Sequence, residues 1–148
     1  MSKVAYLAGC MEYAADKGLS WRLKFEEELN KLGIKCIIPN KEEKDLIKGD
    51  VKMSELKISD LDRYLYIMRL IIERDLDFVE NSDIFIANWN GERGAGTIHE
   101  AGYAYQLGKP SYLVSSLKDE DIPGWFLACF VKKFSTLDEL VCYLEEKC

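Results

Sequence analysis

The sequence predicts an α/β fold of three layers, with a parallel sheet between two layers of helices. Short apolar segments alternate with longer segments of helical periodicity, which is the pattern of repeated strand–helix units. The apolar segments are nearly continuous, as expected for strands that are buried on both faces of a sheet. With 148 residues, 48% of them hydrophobic, the chain is long enough for a single domain over residues 1–148.

Five strands are predicted from the short apolar segments, which are rich in strand-forming residues. Gly9 follows the first of them, and Pro39 and Asn40 follow the second. The predicted strands are residues 3–8, 34–38, 83–87, 111–114 and 131–134.

Helices are predicted where apolar residues recur at helical spacing between capping residues. The first helix is expected to start at Ser20, stop at Gly33 and use Trp21, Phe25, Leu29 and Leu32 as its apolar face. Ser59 or Asp60 is expected to cap the longest helix. The predicted helices are 20–32, 61–80, 97–107, 125–130 and a last one after Ser135, with Gly108 and Pro110 ending the third.

Residues 41–58 are polar and rich in lysine, which predicts an excursion over the surface with room for a short helix. A solvated loop is one interpretation. A lid or an oligomer contact is the other, because long loops in compact domains often have a function.

The charge balance limits the classes of partner. The net charge is -6 and the pI about 4.9, which argues against nucleic acid and against an anionic membrane surface. A small anionic ligand stays compatible with a local positive site. No segment approaches the roughly 20 apolar residues of a membrane span, and no signal peptide is evident, so a cytoplasmic protein is expected.

We expect neither a bound metal ion nor a disulfide bond. The five cysteines form no C-x-x-C pair and are an odd number, which favours reduced thiols that lie mostly in the core. With one histidine and no cluster of ligands, neither a metal nor another cofactor is expected.

The long helix presents an acidic residue on its apolar face. An advance of about 100° per residue places Asp75 on the core side and Asp77 on the water side. The residues expected on that core side are Leu61, Tyr64, Leu65, Met68, Ile72, Leu76 and Val79. Since burying a carboxylate without a partner is costly, Asp75 is either a structural residue bonded to amides or an arginine, or a site carboxylate.

Ligands of such folds bind at the carboxyl ends of the strands, which directs attention to residues 9–13, 39–40, 88–100 and 115–116. In the third of these segments two glycines precede a helix, so backbone amides can approach a ligand closely. Met11 and Trp89 are candidate walls for a flat base, with core packing as the alternative. The candidate binding residues are Gly9, Met11, Asn88, Trp89, Arg93, Gly94, Gly96, Thr97, Ser115 and Ser116.

Glu100 has two interpretations. As the last residue of T-x-x-E it would close a capping box with Thr97. As an ionised carboxylate near a helix N-terminus it would suit nucleophilic attack on an anomeric carbon. With Asp75 it would form a carboxylate pair of the kind retaining glycosidases hold roughly 5 Å apart. Tyr6 could orient a carboxylate or pack in the core, and His99 is expected to point elsewhere.

The motifs along the chain resemble those of nucleoside 2-deoxyribosyltransferases and related 2'-deoxynucleoside 5'-monophosphate N-glycosidases. The most specific element is G-T-x-x-E-x-G-x-A joined to G-K-P. The matching segments are Y-L-A-G at 6–9, I-P-N at 38–40, R-D-L-D at 74–77, S-D-I-F-I-A at 82–87, G-A-G-T-I-H-E-A-G-Y-A at 94–104 and G-K-P at 108–110.

The resemblance implies a flavodoxin-like (Rossmann-like) sandwich around a five-stranded, mainly parallel sheet. It implies that Glu100 is the nucleophile, Asp75 the acid/base or sugar-positioning partner, and Tyr6 the residue bonded to the nucleophile. It also implies a homodimer or larger homo-oligomer. Many members carry an aspartate where this chain has Gly94, which leaves base and sugar preference open.

Three hypotheses follow for the function. The first is an enzyme that cleaves or transfers the N-glycosidic bond of a nucleoside or a nucleoside 5'-monophosphate. In it, Arg93 with Ser115 and Ser116 would accommodate a 5'-phosphate. The second is a nucleotide-binding module with little or no catalysis, and the third is a structural domain in which Glu100 only caps a helix.

Overall fold

The computed structural model describes residues 2–12, 14–42 and 52–147. Its centre is a five-stranded sheet in which every strand pairs in parallel with its neighbour. The order β2-β1-β3-β4-β5 is the flavodoxin-like order, in which β1 and β3 flank the switch point. The strands are β1 Val4–Gly9, β2 Lys35–Ile37, β3 Ile84–Asn88, β4 Ser111–Val114 and β5 Lys132–Phe134.

The five predicted strands are confirmed, with bounds that move by no more than one residue. The second is shorter than expected because Pro39, which has no amide hydrogen, begins a helix directly after it. The helices are α1 Leu19–Asn30, α2 Pro39–Glu42, α3 Met53–Ser59, α4 Leu61–Glu80, α5 Ala95–Gln106, α6 Gly124–Leu127 and α7 Leu137–Lys147.

One face of the sheet is covered by α1 and α7. Phe25 and Leu29 of α1 and Leu140 and Leu144 of α7 pack with the side chains that alternate strand residues send to this side. Leu29 and Leu140 have no exposed surface. The opposite face is covered by α4, α5 and α6, so the three-layer prediction is confirmed.

The second face brings the candidate site residues together. Tyr6 and Ala8 of β1 point to it, as do Phe85 and Ala87 of β3. The small residues Ala101 and Ala104 let α5 pack closely against these strands; each is fully buried.

Two of the predicted helix starts can be compared with the structure. Asp60 caps α4 by accepting a hydrogen bond from the Arg63 amide, as predicted. The prediction for Ser20 is wrong: α1 already begins at Leu19, after Gly18. The Asp16 carboxylate accepts the amides of Gly18 and Ser20 instead. A hydrogen bond with the Ser20 side chain, together with these amide bonds, lowers the pKa of Asp16 to about 2.

The apolar face of α4 differs from the predicted one at three positions. Leu61 and Ile72 are exposed at 53% and 46%, whereas Ile67 is buried with Tyr64 and Leu56 of α3. The neighbouring α3 covers the N-terminal half of α4 and shifts its buried face toward residue 67. Asp75 remains on the partly buried side and Asp77 is exposed, as the helical phase predicted.

The segment 41–58 contains more regular structure than a solvated loop. It contains the end of α2 and all but the last residue of α3, which contacts α4. Residues 43–51, part of the predicted lid or oligomer contact, lie outside the described residues.

The cysteines of the described part are free thiols, and three of the four lie in the core or pack against it. Cys10 alone of the four is buried. Cys36 and Cys129 are partly exposed and Cys142 is exposed, because α7 presents position 142 to solvent.

Candidate active site

A tyrosine and two carboxyl side chains from three elements meet beside the carboxyl end of β1. Tyr6 comes from β1, Asp75 from α4 and Glu100 from α5. The Tyr6 hydroxyl donates a hydrogen bond to Oε2 of Glu100. Asp75 lies close enough for its charge to raise the pKa of both Tyr6 and Glu100. The structure therefore assembles the three residues that the sequence singled out for catalysis.

The residue at which α5 begins determines that Glu100 faces the sheet. The helix begins at Ala95 after Gly94, so Thr97 is its third residue and is buried rather than a cap. Glu100 then follows Thr97 on the side where Ala101 packs on the strands. The capping-box interpretation is wrong, because the Glu100 carboxylate is bonded by the Tyr6 hydroxyl and the N-cap has no side-chain hydrogen bond.

Burial sets the protonation of Glu100. The residue keeps some exposed surface, but surrounding protein desolvates its carboxyl and raises its pKa to about 8. The negative charge of Asp75 raises this pKa further. The hydrogen bond from Tyr6 and the positive charges of Arg22 and Arg74 lower it. Glu100 is thus a carboxyl whose ionisation depends on its immediate neighbours.

Asp75 forms an ion pair with the residue beside it on the helix. Arg74 donates from Nε and Nη2 to Oδ1 of Asp75, at 2.9 and 2.8 Å. Burial raises the pKa of Asp75 even though the pairing with Arg74 opposes the rise. This pairing is the structural alternative foreseen for Asp75, and it coexists with a position beside Glu100. The Arg74 Nη1 atom is buried and has no hydrogen-bond partner among the described residues.

Tyr6 remains a hydrogen-bond donor over the physiological pH range. Its side chain is 1% exposed, and its pKa is raised well above 10.0 by burial and by the charges of Glu100 and Asp75. The ring stacks on Phe85 at 5.9 Å between centroids, which fixes the direction of the hydroxyl.

Arg22 is a fourth member of this neighbourhood that the sequence analysis missed. It is 1% exposed, and its charge acts on Tyr6, Asp75 and Glu100. A sequence signal existed, since Arg22 is three residues before Phe25 and seven before Leu29, on the apolar face of α1. The reasoning that selected Asp75 on α4 would have selected Arg22 on α1.

The two loops that follow β3 and β4 are tied to each other. Oδ1 of Asn90 accepts hydrogen bonds from the amide and the hydroxyl of Ser116, at 2.7 and 2.9 Å. The Ser115 hydroxyl is buried and accepts the Leu117 amide at 3.2 Å. Ser116 therefore joins the two loops, whereas Ser115 stabilises the loop after β4.

Trp89 is a core residue. It is 6% exposed, its ring packs against Phe126 at 5.2 Å, and its Nε1 donates to the Glu92 carbonyl. Gly94 lies against this ring, and a β-carbon at that position would lie 3.3 Å from it. The packing alternative for Trp89 is the one the structure shows.

The other predicted binding residues surround the carboxyl ends of β1 and β3. Gly9 ends β1 beside Asn88, with which it is in register. A β-carbon on Gly9 would lie 2.4 Å from the Trp21 ring, so this approach requires glycine. Met11 is partly exposed after β1. The exposed Arg93 accepts a hydrogen bond at its carbonyl from the Cys10 thiol.

Two further predicted positions lie on the outside of the molecule. Gly96 is exposed, with open space where a β-carbon would lie. His99 is exposed on α5, one residue before Glu100 but turned away from Tyr6. An open groove of about 780 Å³ runs beside this outer face of α5. It is lined by α5 and α6 residues such as Ile98, Tyr105 and Trp125, and does not include Tyr6, Asp75 or Glu100.

The described part of the chain contains no group of three His, Cys, Asp or Glu side chains placed to bind a metal ion. Over the same residues, no helix has the length and apolar character needed to cross a membrane.

Solved structures with similar folds share this architecture. The 2-deoxyribosyltransferase of Bacillus psychrosaccharolyticus matches with a TM-score of 0.71 at 20% identity, over 93% of this chain and 90% of that one. The 2-deoxyribosyltransferase of Leishmania mexicana matches with a TM-score of 0.67 at 17% identity, over 97% of each chain. The CMP N-glycosidase of Clostridium botulinum matches with a TM-score of 0.54 at 16% identity, over 99% of this chain and 100% of that one.

At these identities the structural matches show the fold. No curated protein matches the chain. A family model described as nucleoside 2-deoxyribosyltransferase matches residues 5–140, which is most of the sequence. The chain therefore belongs to the nucleoside 2-deoxyribosyltransferase family.

Proposed function

We propose that this protein breaks the N-glycosidic bond of a nucleoside or nucleoside 5'-monophosphate, with Glu100 as nucleophile. The observation that carries the proposal is the hydrogen bond from Tyr6 to Glu100, with Asp75 beside it, at the carboxyl end of β1. Family membership supports this class of substrate and reaction.

The first step forms a bond between a Glu100 carboxylate oxygen and the anomeric carbon of the sugar. The bond from that carbon to the base nitrogen breaks, and its electron pair leaves with the base. Asp75 in its protonated form donates the proton that the leaving base takes up, a role that its raised pKa supports. The product is a free base and a glycosyl ester on Glu100.

The second step sets the reaction class. Attack of another base on the ester returns a nucleoside, and the enzyme is then a transferase. Attack of water releases the sugar, and the enzyme is then a hydrolase. The buried Arg74 Nη1 atom, beside Asp75, is a donor suited to an oxygen of the bound sugar.

The pKa of about 8 for Glu100 predicts the pH dependence of this chemistry. The nucleophile must be ionised, so the rate should rise with pH as the Glu100 proton is lost. The hydrogen bond from Tyr6 and the charges of Arg22 and Arg74 support the ionised form.

A 5'-phosphate, if the substrate carries one, would approach Arg93 and the amides that open α5. The serines expected to help are less suited, because the hydroxyls of Ser115 and Ser116 already have partners. The CMP N-glycosidase among the structural matches acts on a nucleotide, which supports testing monophosphates. Arg93→Gln should weaken binding of a monophosphate more than that of the matching nucleoside, and equal losses would exclude the phosphate role.

The deciding experiment is chromatography of a panel of nucleosides and 5'-monophosphates, ribo and deoxy, with and without an acceptor base. Wild type and Glu100→Ala run side by side. Asp75→Asn is compared with Asp77→Asn, which removes an exposed carboxylate two residues along the same helix. We expect Asp77→Asn to retain activity, Asp75→Asn to lose it by roughly 10²-fold or more, and Glu100→Ala to lose it fully. Equal activity of wild type and Glu100→Ala would end the proposal.

A nucleotide-binding module is the second candidate function. Gly94, where many family members carry an aspartate, is the observation in its favour. Tight binding of a nucleotide by isothermal titration, without base release over hours, would establish it instead.

We further propose a cytoplasmic homo-oligomer without cofactors. The unpaired thiols of the described residues support a reducing compartment. Trp125, 94% exposed, and Tyr105, 63% exposed, border the open groove and support self-association there. Light scattering of wild type and Trp125→Glu tests this assembly, and a wild-type monomer would refute it.

A further inference from the structure

The two oxygens of the Asp75 carboxyl have different surroundings. Oδ1 accepts two hydrogen bonds from Arg74, from Nε at 2.9 Å and from Nη2 at 2.8 Å. Oδ2 accepts none from the described residues. It is also not among the buried side-chain atoms that lack a partner, which are Nη1 of Arg74 and Oδ1 of Asn40, so Oδ2 keeps surface that a ligand can reach. One oxygen of Asp75 is therefore bound by the protein, and the other is open.

Arg74 binds Asp75 from a confined position. Its side chain is 15% exposed, and that of Asp75 is 16% exposed. The guanidinium lies over the ring of Phe78, about one turn further along α4, with Cζ at 5.8 Å from the ring centroid. Two nitrogens of one planar group bond the same oxygen, so the pair has a defined orientation that the single ammonium group of a lysine does not impose.

Stability alone does not account for this arrangement. Nη1 of Arg74 is buried and has no partner among the described residues, and such a donor lowers the stability of a fold. A partly buried ion pair adds little net stability, because removing its charges from water offsets their attraction. The pair lies near Tyr6 of β1, Glu100 of α5 and Arg22 of α1, whose charges act on Asp75 or are affected by it. Its location points to a role in the site.

The contact with Arg74 determines which oxygen of Asp75 carries a proton. The N–H groups of Arg74 point at Oδ1, so a proton on that oxygen would face two donors of a positively charged group. Oδ2 has no such neighbour among the described residues. When Asp75 is protonated, the proton therefore lies on Oδ2.

We propose that Arg74 is a positioning residue: it binds Oδ1 of Asp75 and thereby makes Oδ2 the oxygen that exchanges a proton with the substrate. This role rests on the proposed function. In the first step the Oδ2 proton moves to the base nitrogen as the bond from that nitrogen to the anomeric carbon breaks, and Arg74 stabilises the carboxylate that remains. In the second step the attacking water or base loses a proton to Oδ2.

The test is a double-mutant cycle between Arg74→Gln and Asp75→Asn, read as kcat and KM on the substrate that the panel identifies. Because Arg74 acts through Asp75, Arg74→Gln should lower kcat by about 10-fold or more and leave KM within about 3-fold. In the Asp75→Asn background the same change should alter kcat by less than about 2-fold. Arg69→Gln, which removes an exposed arginine from the same helix, should leave kcat unchanged.

Wild-type kcat in Arg74→Gln would overturn the proposal. An equal loss with and without the Asp75 carboxyl would overturn it as well, because Arg74 would then act on another group or on the fold as a whole. If circular dichroism shows that Arg74→Gln does not fold, Arg74→Lys takes its place in the cycle. Lysine keeps the charge but not the two parallel donors, so a loss of kcat that disappears in the Asp75→Asn background supports the proposal, and any other result overturns it.

A measurement without substrate tests the contact apart from the reaction. It is a nuclear magnetic resonance titration of aspartate side-chain carboxyls labelled with ¹³C, from about pH 3 to about pH 9, with Asp75 assigned through Asp75→Asn. Pairing with Arg74 opposes the rise of the Asp75 pKa that burial causes. We therefore expect the Asp75 pKa to rise by about one unit or more in Arg74→Gln and to stay unchanged in Arg69→Gln.

The titration also separates the two ways in which the proposal can fail. An unchanged Asp75 pKa in Arg74→Gln shows that Arg74 does not bind Asp75 in solution and overturns the proposal, whatever the activity. If wild type turns over no substrate, the proposed function fails and the role of Arg74 in proton transfer fails with it. A raised Asp75 pKa in Arg74→Gln then shows that the contact exists and that the error lies in the reaction.

Discussion

Replacing Glu100 with glutamine removes the charge of the carboxyl and keeps its size and its ability to accept the Tyr6 hydrogen bond. The pKa of Glu100 is raised by burial from 4.5 to about 8. A carboxyl with a raised pKa in the folded state holds its proton more tightly than in the unfolded chain. The stability that the protonated Glu100 contributes is fully present below pH 4.5 and is lost as the pH rises through about 8.

The size of the effect follows from that difference. The rise of the Glu100 pKa from 4.5 to about 8 is about 3.5 units, which correspond to about 5 kcal/mol at ~1.36 kcal/mol per unit. Because relaxation and water reduce the penalty of a partly accessible charge, we expect a measured difference of about 2–3 kcal/mol. Glu100→Gln should therefore match the wild type near pH 5 and exceed it by that amount near pH 9.

Urea unfolding followed by circular dichroism, at a series of pH values, measures this difference. The control is Glu27→Gln, which removes an exposed carboxylate from α1 and should not change the pH dependence. If the free energies of unfolding of wild type and Glu100→Gln run parallel from pH 5 to pH 9, burial does not raise the Glu100 pKa and the reasoning fails.

Three further perturbations test other contacts. Tyr6→Phe removes the hydrogen bond that lowers the Glu100 pKa. The pH at which the rate rises should therefore increase by about one unit, and an unchanged pH dependence would contradict this. Gly18 and Gly33 both have left-handed backbone, but only at Gly18 would an added β-carbon also contact packed atoms. Urea unfolding should therefore show that Gly18→Ala lowers the free energy of unfolding by about 3 kcal/mol and Gly33→Ala by about 1 kcal/mol. Leu140→Ala opens a cavity in a fully buried position and should lower the free energy of unfolding by about 2–5 kcal/mol.

Local rules gave correct answers for the phase of α4 at Asp75 and for the five strands. The helical phase placed Asp75 inside and Asp77 outside, because periodicity depends only on the geometry of one helix. The five strands followed from continuous apolar segments for the same reason. The position of Glu100 needed the resemblance as well, since its spacing from Thr97 fits a cap equally well.

The misses occurred where two elements meet. Ile67 is buried instead of Ile72 because α3 packs on α4, and the position of α3 was not visible in the periodicity. Arg22 was passed over because the hydrogen bonds that permit its burial come from carbonyls of β1. Ser20 was a reasonable cap by residue type, but α1 begins one residue earlier, and Asp16 of the preceding turn accepts the Ser20 amide.

The hydrogen bond from Tyr6 to Glu100 joins residues 94 positions apart in the chain. β1 reaches its neighbour β3 only after about half of the chain has closed a loop, and such non-local pairing is slow to form. Glu100 thus acquires its partner late on the folding pathway, after α1 and α4 have had time to form locally. Recovery of catalysis after dilution from denaturant should accordingly follow the slowest folding phase, and the helical signal should return before it.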